Sequence, residues 1–130
     1  AGVLLTKVEY IKDNFAIVDA AMNDLIRPAL YGAKHDICNL KNKTNTMKKY
    51  NVVGPICESS DFLGKDILLD IAEDDLLCIK TAGAYGFVMS SNYNSRLRSA
   101  EVLVDGKTFN LIRRRENIQD LIGMETIPND

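Results

Sequence analysis

Val52-Val53-Gly54-Pro55-Ile56-Cys57-Glu58-Ser59-Ser60-Asp61-Phe62-Leu63-Gly64-Lys65-Asp66 sets the pattern for the whole chain. An apolar run of strand length enters it, Gly-Pro ends the run, and the next side chains are presented on a loop. On that loop Cys57 stands beside Glu58. A free thiol is mostly protonated near neutrality, and an adjacent carboxylate opposes its ionisation. Cys57 therefore suits a proton donor better than a nucleophile. The plainer alternative is a small apolar residue at a strand end, because free cysteine often behaves as a buried hydrophobe.

The same alternation of short apolar runs and turn residues extends in both directions. On the N-terminal side, Val3–Ile11 and Phe15–Val18 read as strands of a hairpin turning at Asp13-Asn14. His35–Leu40 and Asn51–Ile56 read as two more strands, joined by the polar loop Lys41–Tyr50, whose lysines read as solvated. On the C-terminal side, the apolar patch Ile67–Ile71 and the acidic turn Glu73-Asp74-Asp75 precede the run Leu76–Ile79, which makes Cys78 a core residue. Arg96–Arg113 reads as two strands joined at Asp105-Gly106. Asn117 can cap a short helix with Ile118, Leu121 and Ile122 on one face. Ile127–Asp130 reads as a fraying tail. The expected fold is mainly β, a barrel or sandwich of about six to eight strands with two or three short helices.

At 130 residues the chain is read as a single domain able to bury its own core. The formal net charge of −2 offers no footprint for nucleic acid or an anionic membrane. Arg113-Arg114-Arg115, followed by Glu116, reads as a solvated strand end. No apolar stretch reaches the ~18–20 residues needed to span a bilayer. Three cysteines with no C-x-x-C pair and no His/Cys cluster give no metal site and no disulfide framework, so a reducing, cytoplasmic setting is expected. Ala1-Gly2-Val3 opens without an initiator methionine, which suggests a piece of a longer protein.

Two further stretches carry chemistry. In Asp19–Tyr31, Asn23 or Asp24 can cap a helical turn with Pro28 near its start. Arg27 and Tyr31 then fall at i and i+4 on one face, where a guanidinium and a phenol could hold a carboxylate. A surface arginine packed over a tyrosine is the bland alternative. In Thr81–Asn94, Gly83 and Gly86 bracket Tyr85 and would let another backbone or a ligand approach closely. His35 is the only histidine and has no acid or nucleophile at motif spacing.

Three of these stretches, Met22–Gly32, Gly54–Asp61 and Ala82–Asn94, are similar, in the same order, to segments of the diaminopimelate decarboxylases. These are pyridoxal-phosphate enzymes pairing an α/β barrel with a C-terminal β domain. The chain departs from the pattern at Leu97 and Ser99, where family members often carry prolines.

The resemblance implies a C-terminal β domain over residues 1–130, and an absent barrel domain bearing the Schiff-base lysine and phosphate cradle. None of the lysines here has a matching context. It implies conversion of meso-2,6-diaminopimelate to L-lysine and carbon dioxide. Arg27 and Tyr31 would bind the distal end of the substrate with Glu58, and Cys57 would donate the proton. Tyr85 would reach both cofactor and substrate, and Asn92-Tyr93-Asn94 would fix its loop. In the family, Cys57 and Glu58 serve the partner subunit's active site, so a homodimer is implied.

Diaminopimelate has an amino acid group at each end, so its site must hold a distal ammonium and a distal carboxylate together, which Glu58 and Arg27 match. Ornithine-type decarboxylases have no distal carboxylate to hold and commonly carry Asp where Glu58 stands. The remaining alternatives are an ornithine- or arginine-type domain and a non-catalytic dimerisation or regulatory module. The chain alone is expected to be inactive.

Overall fold

In the computed structural model, residues 2–41 and 46–128 are described and form two compact units, Ala1–Ser90 and Ser91–Asp130. The first holds strands β1 (Val3–Lys12), β2 (Phe15–Val18), β3 (Ile37–Asn39), β4 (Lys48–Val53), β5 (Phe62–Leu69) and β6 (Leu76–Lys80), and the helix α1 (Arg27–Tyr31). The second holds β7 (Glu101–Asp105), β8 (Thr108–Arg113) and α2 (Ile118–Ile122). Single 3-10 turns occur at Phe87–Met89 and Tyr93–Ser95.

Strand β1 organises the first unit because it belongs to two ladders. Val3–Lys7 pair antiparallel with β6, and Val8–Lys12 pair antiparallel with β2, with a register slip between Val8 and Tyr10. The slip inserts an extra residue and reverses which side chains face inward. Leu4, Thr6 and Val8 point to the core before it, and after it Ile11 packs there while Tyr10 stays exposed. The strand order is β3-β6-β1-β2-β4-β5. Among the described residues only β2 and β4 run parallel, and the crossover between them carries α1 and β3.

The outermost strands β3 and β5 also pack against each other, which curls the sheet towards a barrel. Gly64 in β5 makes that approach possible: a Cβ there would stand 2.8 Å from both Ile37 Cδ1 and Ile67 Cγ1. Val8, Ala16, Val18, Leu25, Val52, Leu63, Leu77 and Ile79 fill the interior. Cys78 is buried as expected, and burial pushes its thiol pKa up, with Cys38 on the facing strand adding to the rise.

Several boundaries differ from the sequence reading. The loop around Cys57 is shorter than expected, because β5 begins at Phe62, which pairs with Val53 across a ladder with slipped register. Asp66 in β5 takes a left-handed backbone with φ 55°, so a strand with bulges carries what reads as a turn sequence. Of the expected loop Lys41–Tyr50, residues 42–45 lie outside the described residues, and β4 begins at Lys48. Asn129 and Asp130 of the expected tail also lie outside them. The acidic turn ties neighbouring segments together. Its Asp75, buried, accepts from Asn39 Nδ2 at 3.0 Å, Lys41 Nζ at 2.9 Å and Ala72 N–H at 2.8 Å.

In the second unit, Asp105 pairs with Thr108, so the two-residue turn is Gly106-Lys107, one position later than expected. Gly106 supplies the left-handed backbone (φ 56°) that such a turn favours. Asn117 and Asp120 form a reciprocal capping box on α2. The arginine run is ion-paired as well as solvated: Arg113 Nε reaches Glu101 at 2.6 Å, and Arg114 grips Asp120 through two bonds of 2.6 and 2.7 Å. Asn92 Nδ2 donates to the Arg96 carbonyl at 3.0 Å and to Glu116 at 2.7 Å, which fixes the Asn92–Asn94 loop.

Candidate functional site

The chain leaves β2 under tight control. Thr6 Oγ1 donates to Asp19 at 2.6 Å and accepts the Ala20 N–H at 3.0 Å. Ala21, Asn23 and Leu25 are then buried in succession. Asp24 accepts the Ala21 N–H at 3.0 Å, and its own N–H returns to the Ala21 carbonyl at 2.9 Å. Neither Asn23 nor Asp24 caps α1, contrary to the sequence expectation. Their side chains serve this earlier turn, and Ile26 occupies the N-cap without a side-chain bond. Pro28 lies in the first turn, where its missing N–H costs nothing. Gly32 closes the helix with φ 62°, donating to the Pro28 carbonyl at 3.0 Å. Within this single turn Arg27 and Tyr31 share a face, Arg27 half-buried and Tyr31 exposed.

The second loop follows β4. A Cβ on Gly54 would stand 2.7 Å from Ala21 Cα and collide with the Asp61 carboxylate, so only glycine fits between the two loops. Ile56 buries its side chain and anchors the turn. The turn closes through Glu58 N–H to Ile56 O at 2.8 Å, Asp61 N–H to Glu58 O at 3.1 Å and Gly54 N–H to Asp61 O at 3.1 Å. Cys57 and Glu58 are exposed at its crest, Cys57 as a free thiol, and Ser59 Oγ donates to Glu58 Oε1 at 3.3 Å.

The third loop follows β6. Gly83 lies against the backbone of Gly2, where a Cβ on Gly2 would come 2.7 Å from Gly83 Cα. The close approach expected at Gly83 is thus made by the chain's own backbone. At Gly86 a side chain would strike the Ala82 carbonyl. Tyr85 between them holds φ 59°, an unusual value for an aromatic residue that costs about 1–3 kcal/mol. Tyr85 is 62% exposed, and the Arg27 guanidinium carbon lies 6.0 Å from its ring centroid.

The structure therefore brings Arg27 directly to Tyr85, sets Tyr31 beside Arg27 on α1, and joins the Cys57–Glu58 loop to the segment leading into α1. The joint is a residue that sequence reading gave no role. Asp61, 3% exposed, accepts the Met22 N–H on Oδ1 at 2.7 Å and the Ile56 N–H on Oδ2 at 2.9 Å. No local motif marks it, because its two donors lie 39 and 5 residues before it in the sequence. His35 stands apart from this chemistry: it is buried and its Nδ1 lies 2.9 Å from the Lys80 carbonyl, a bond that requires the proton on Nδ1.

Among the described residues, no group of three or more His, Cys, Asp or Glu side chains could hold a metal ion, and no helix is long and apolar enough to cross a membrane. Several lysines are engaged elsewhere: Lys7 pairs with Glu9 and Asp74, Lys41 with Asp75, and Lys65 Nζ lies 4.4 Å over the Phe62 ring.

Residues 1–83 match the family described as pyridoxal-dependent decarboxylase, C-terminal sheet domain, and the chain belongs to that family. Its relatives narrow the class. A diaminopimelate decarboxylase of Pseudomonas aeruginosa is 58% identical over 98% of this chain, and one of Vibrio cholerae is 56% identical over 98%. The chain spans about a third of these relatives, 32% and 31% of their lengths. A solved diaminopimelate decarboxylase of M. jannaschii superposes with a TM-score of 0.92 at 44% identity, covering 97% of this chain and 30% of its own. The Helicobacter pylori enzyme, solved in complex with L-lysine, gives 0.87 at 42% identity, covering 94% of this chain and 31% of its own.

Proposed function

We propose that the chain is the C-terminal β domain of a cytoplasmic diaminopimelate decarboxylase, which converts meso-2,6-diaminopimelate to L-lysine and carbon dioxide. The observation that carries this reading is the half-buried Arg27 set over Tyr85 and beside Tyr31, with the Cys57–Glu58 loop joined to the same segment through Asp61. Arg27 supplies the cation for the distal carboxylate and Tyr31 a hydroxyl, while Glu58, presented with Cys57 to the partner subunit's active site, supplies the anion for the distal ammonium there. The substrate is thereby gripped at the end that does not react.

Pyridoxal phosphate, when bound, supplies the electron sink for loss of carbon dioxide. This chain fits only the edge of such a group. Its site residues offer the exposed hydroxyl of Tyr85 and no enclosed lysine, so the main cradle belongs to an α/β barrel domain outside these residues. Cys57 holds the proton that replaces the departing carboxyl group, and its exposed position at the crest of a rigid turn suits delivery to a site completed by other protein surface. In the homodimer that surface belongs to the partner subunit.

An ornithine- or arginine-type domain would find no distal carboxylate for Arg27, and a non-catalytic module would have no use for an exposed thiol beside an acid. The test is turnover of meso-diaminopimelate by the full-length protein with pyridoxal phosphate, with and without Cys57→Ala. The expected loss is about two to four powers of ten, the effect of removing a proton-transfer group. An unchanged rate would favour the non-catalytic module. This chain alone should release no lysine.

A further inference from the structure

We propose that His35 is a positioning residue for Tyr85: its side chain fixes the point where the chain leaves β6 and turns into the loop that sets the phenol beside Arg27. This rests on the functional reading above, in which Tyr85 contacts substrate and cofactor, and assigns a residue which that reading leaves out. Lys80, the last residue of β6, donates its N–H to the Asp36 carbonyl at 2.8 Å and so continues the ladder beyond β3. Its own carbonyl is held by side chains. It accepts from His35 Nδ1–H at 2.9 Å and from Thr81 Oγ1 at 2.7 Å, and Nδ1 and Oγ1 lie 3.3 Å apart. Immediately beyond, Ala82 N–H donates to the Gly2 carbonyl at 3.1 Å.

Two features make this more than the end of a strand. Thr81 and Tyr85 both hold a left-handed backbone, at φ 56° and 59°. Neither a β-branched nor an aromatic residue adopts it without strain, so the flanking contacts must impose it. His35 and Gly2 supply those contacts on the entry side of the loop. The second feature is the His35 ring itself. It is buried, and with the proton on Nδ1 its Nε2 is an acceptor that has no hydrogen-bond partner among the described residues. A leucine would fill such a space without orphaning a nitrogen, so what histidine adds here is the Nδ1–H donor. That donor holds Lys80 and Thr81 and, through them, the turn that carries Tyr85. It also ties the segment leaving α1 to this loop, which keeps Arg27 and Tyr31 at a fixed place relative to Tyr85. His35 itself touches neither substrate nor cofactor.

The test is kcat/KM for meso-diaminopimelate in the full-length protein with pyridoxal phosphate, for His35→Leu and His35→Asn, each with and without Tyr85→Ala. Leucine removes the donor and should lower kcat/KM about tenfold, the effect of losing one buried hydrogen bond. Asparagine can place an amide N–H where Nδ1–H stands and should stay within about threefold of the unmutated protein. In the Tyr85→Ala background the cost of His35→Leu should fall below about threefold, because no phenol is left to misplace. A merely structural histidine would lower the unfolding midpoint and leave kcat/KM alone, or cost the same in both backgrounds. Either result overturns the proposal, and so does failure of asparagine to rescue. If the unmutated protein does not turn over diaminopimelate, the functional reading falls. Hydrogen exchange then decides the placement of the loop by itself, as it does if His35→Leu does not fold. The Lys80 and Ala82 amides of the unmutated protein should open in one step, and independent opening would overturn the role of His35.

Discussion

Gly54→Ala probes the joint between the two loops most sharply. The added methyl would stand 2.7 Å from both Cα and Cβ of Ala21 and would collide with the Asp61 carboxylate. Ala21 is fully buried, so its backbone has nowhere to retreat. Overpacking of that kind costs about 1–3 kcal/mol. Displacing Asp61 from the Ile56 or Met22 N–H adds about 1.5–3 kcal/mol, because a charged acceptor loses a bond while still buried. The total is roughly 2.5–6 kcal/mol, which at a urea slope of about 2 kcal/mol/M lowers the unfolding midpoint by roughly 1–3 M. Gly32→Ala is the control: it has nothing within 4 Å and a φ of +62°, so it bears only the left-handed backbone cost of about 1–2 kcal/mol. Equilibrium urea unfolding of the two variants side by side decides the matter. A Gly54→Ala midpoint no lower than that of Gly32→Ala would refute the crowding at this joint.

Three further outcomes are expected. Gly64→Val should lower the unfolding midpoint and raise hydrogen exchange in β3, because its side chain would press on Ile37 where the two outermost strands meet; unaltered exchange of the Ile37 amide would count against near-closure of the sheet. Asp120 titrates at about 2 instead of its ordinary 3.8, chiefly through its bonds to Arg114 and then to the Asn117 N–H. Its folded pKa is depressed, so its contribution to the α2 cap is present above the ordinary value and is lost as pH falls through about 2. An NMR titration of the Asn117 amide should show a midpoint near the lower figure that Asp120→Asn abolishes, and a midpoint near the ordinary carboxylate value would contradict the pairing. Tyr85→Gly should relieve the left-handed strain and raise stability slightly, by about 1 kcal/mol, while raising KM for diaminopimelate; thermal unfolding and steady-state kinetics read the two effects separately.

Much of this architecture was legible because period-2 alternation and turn chemistry agree along the chain. Val3–Ile11, Phe15–Val18 and Leu76–Ile79 each emerge within one residue of the observed strands. What escaped was set by contacts distant in sequence. Strand β5 begins in Phe62-Leu63-Gly64-Lys65-Asp66, which reads as a turn because Gly64 is there for Ile37, a partner 27 positions away (64 − 37 = 27). Asn23 and Asp24 look like helix caps by type, but the burial of Leu25 shifts the start of α1 beyond their reach. At the hairpin, Asp105 stays in the ladder because the glycine takes the first left-handed position. The candidate site divides the same way. Arg27, Tyr31, Cys57, Glu58 and Tyr85 stand out by residue type and motif, whereas Asp61 emerges only when Met22 and Ile56 are seen to share it.

The sharpest single trial of the recognition site is substrate discrimination in the full-length protein, measured as kcat/KM for meso-diaminopimelate and for L-ornithine before and after Arg27→Met. If Arg27 holds the distal carboxylate, the change should lower the diaminopimelate value about ten- to a hundredfold and leave the ornithine value where it was. Equal losses on both substrates, or none on either, would mean that the guanidinium over Tyr85 does not read the end of the substrate that remains unreacted.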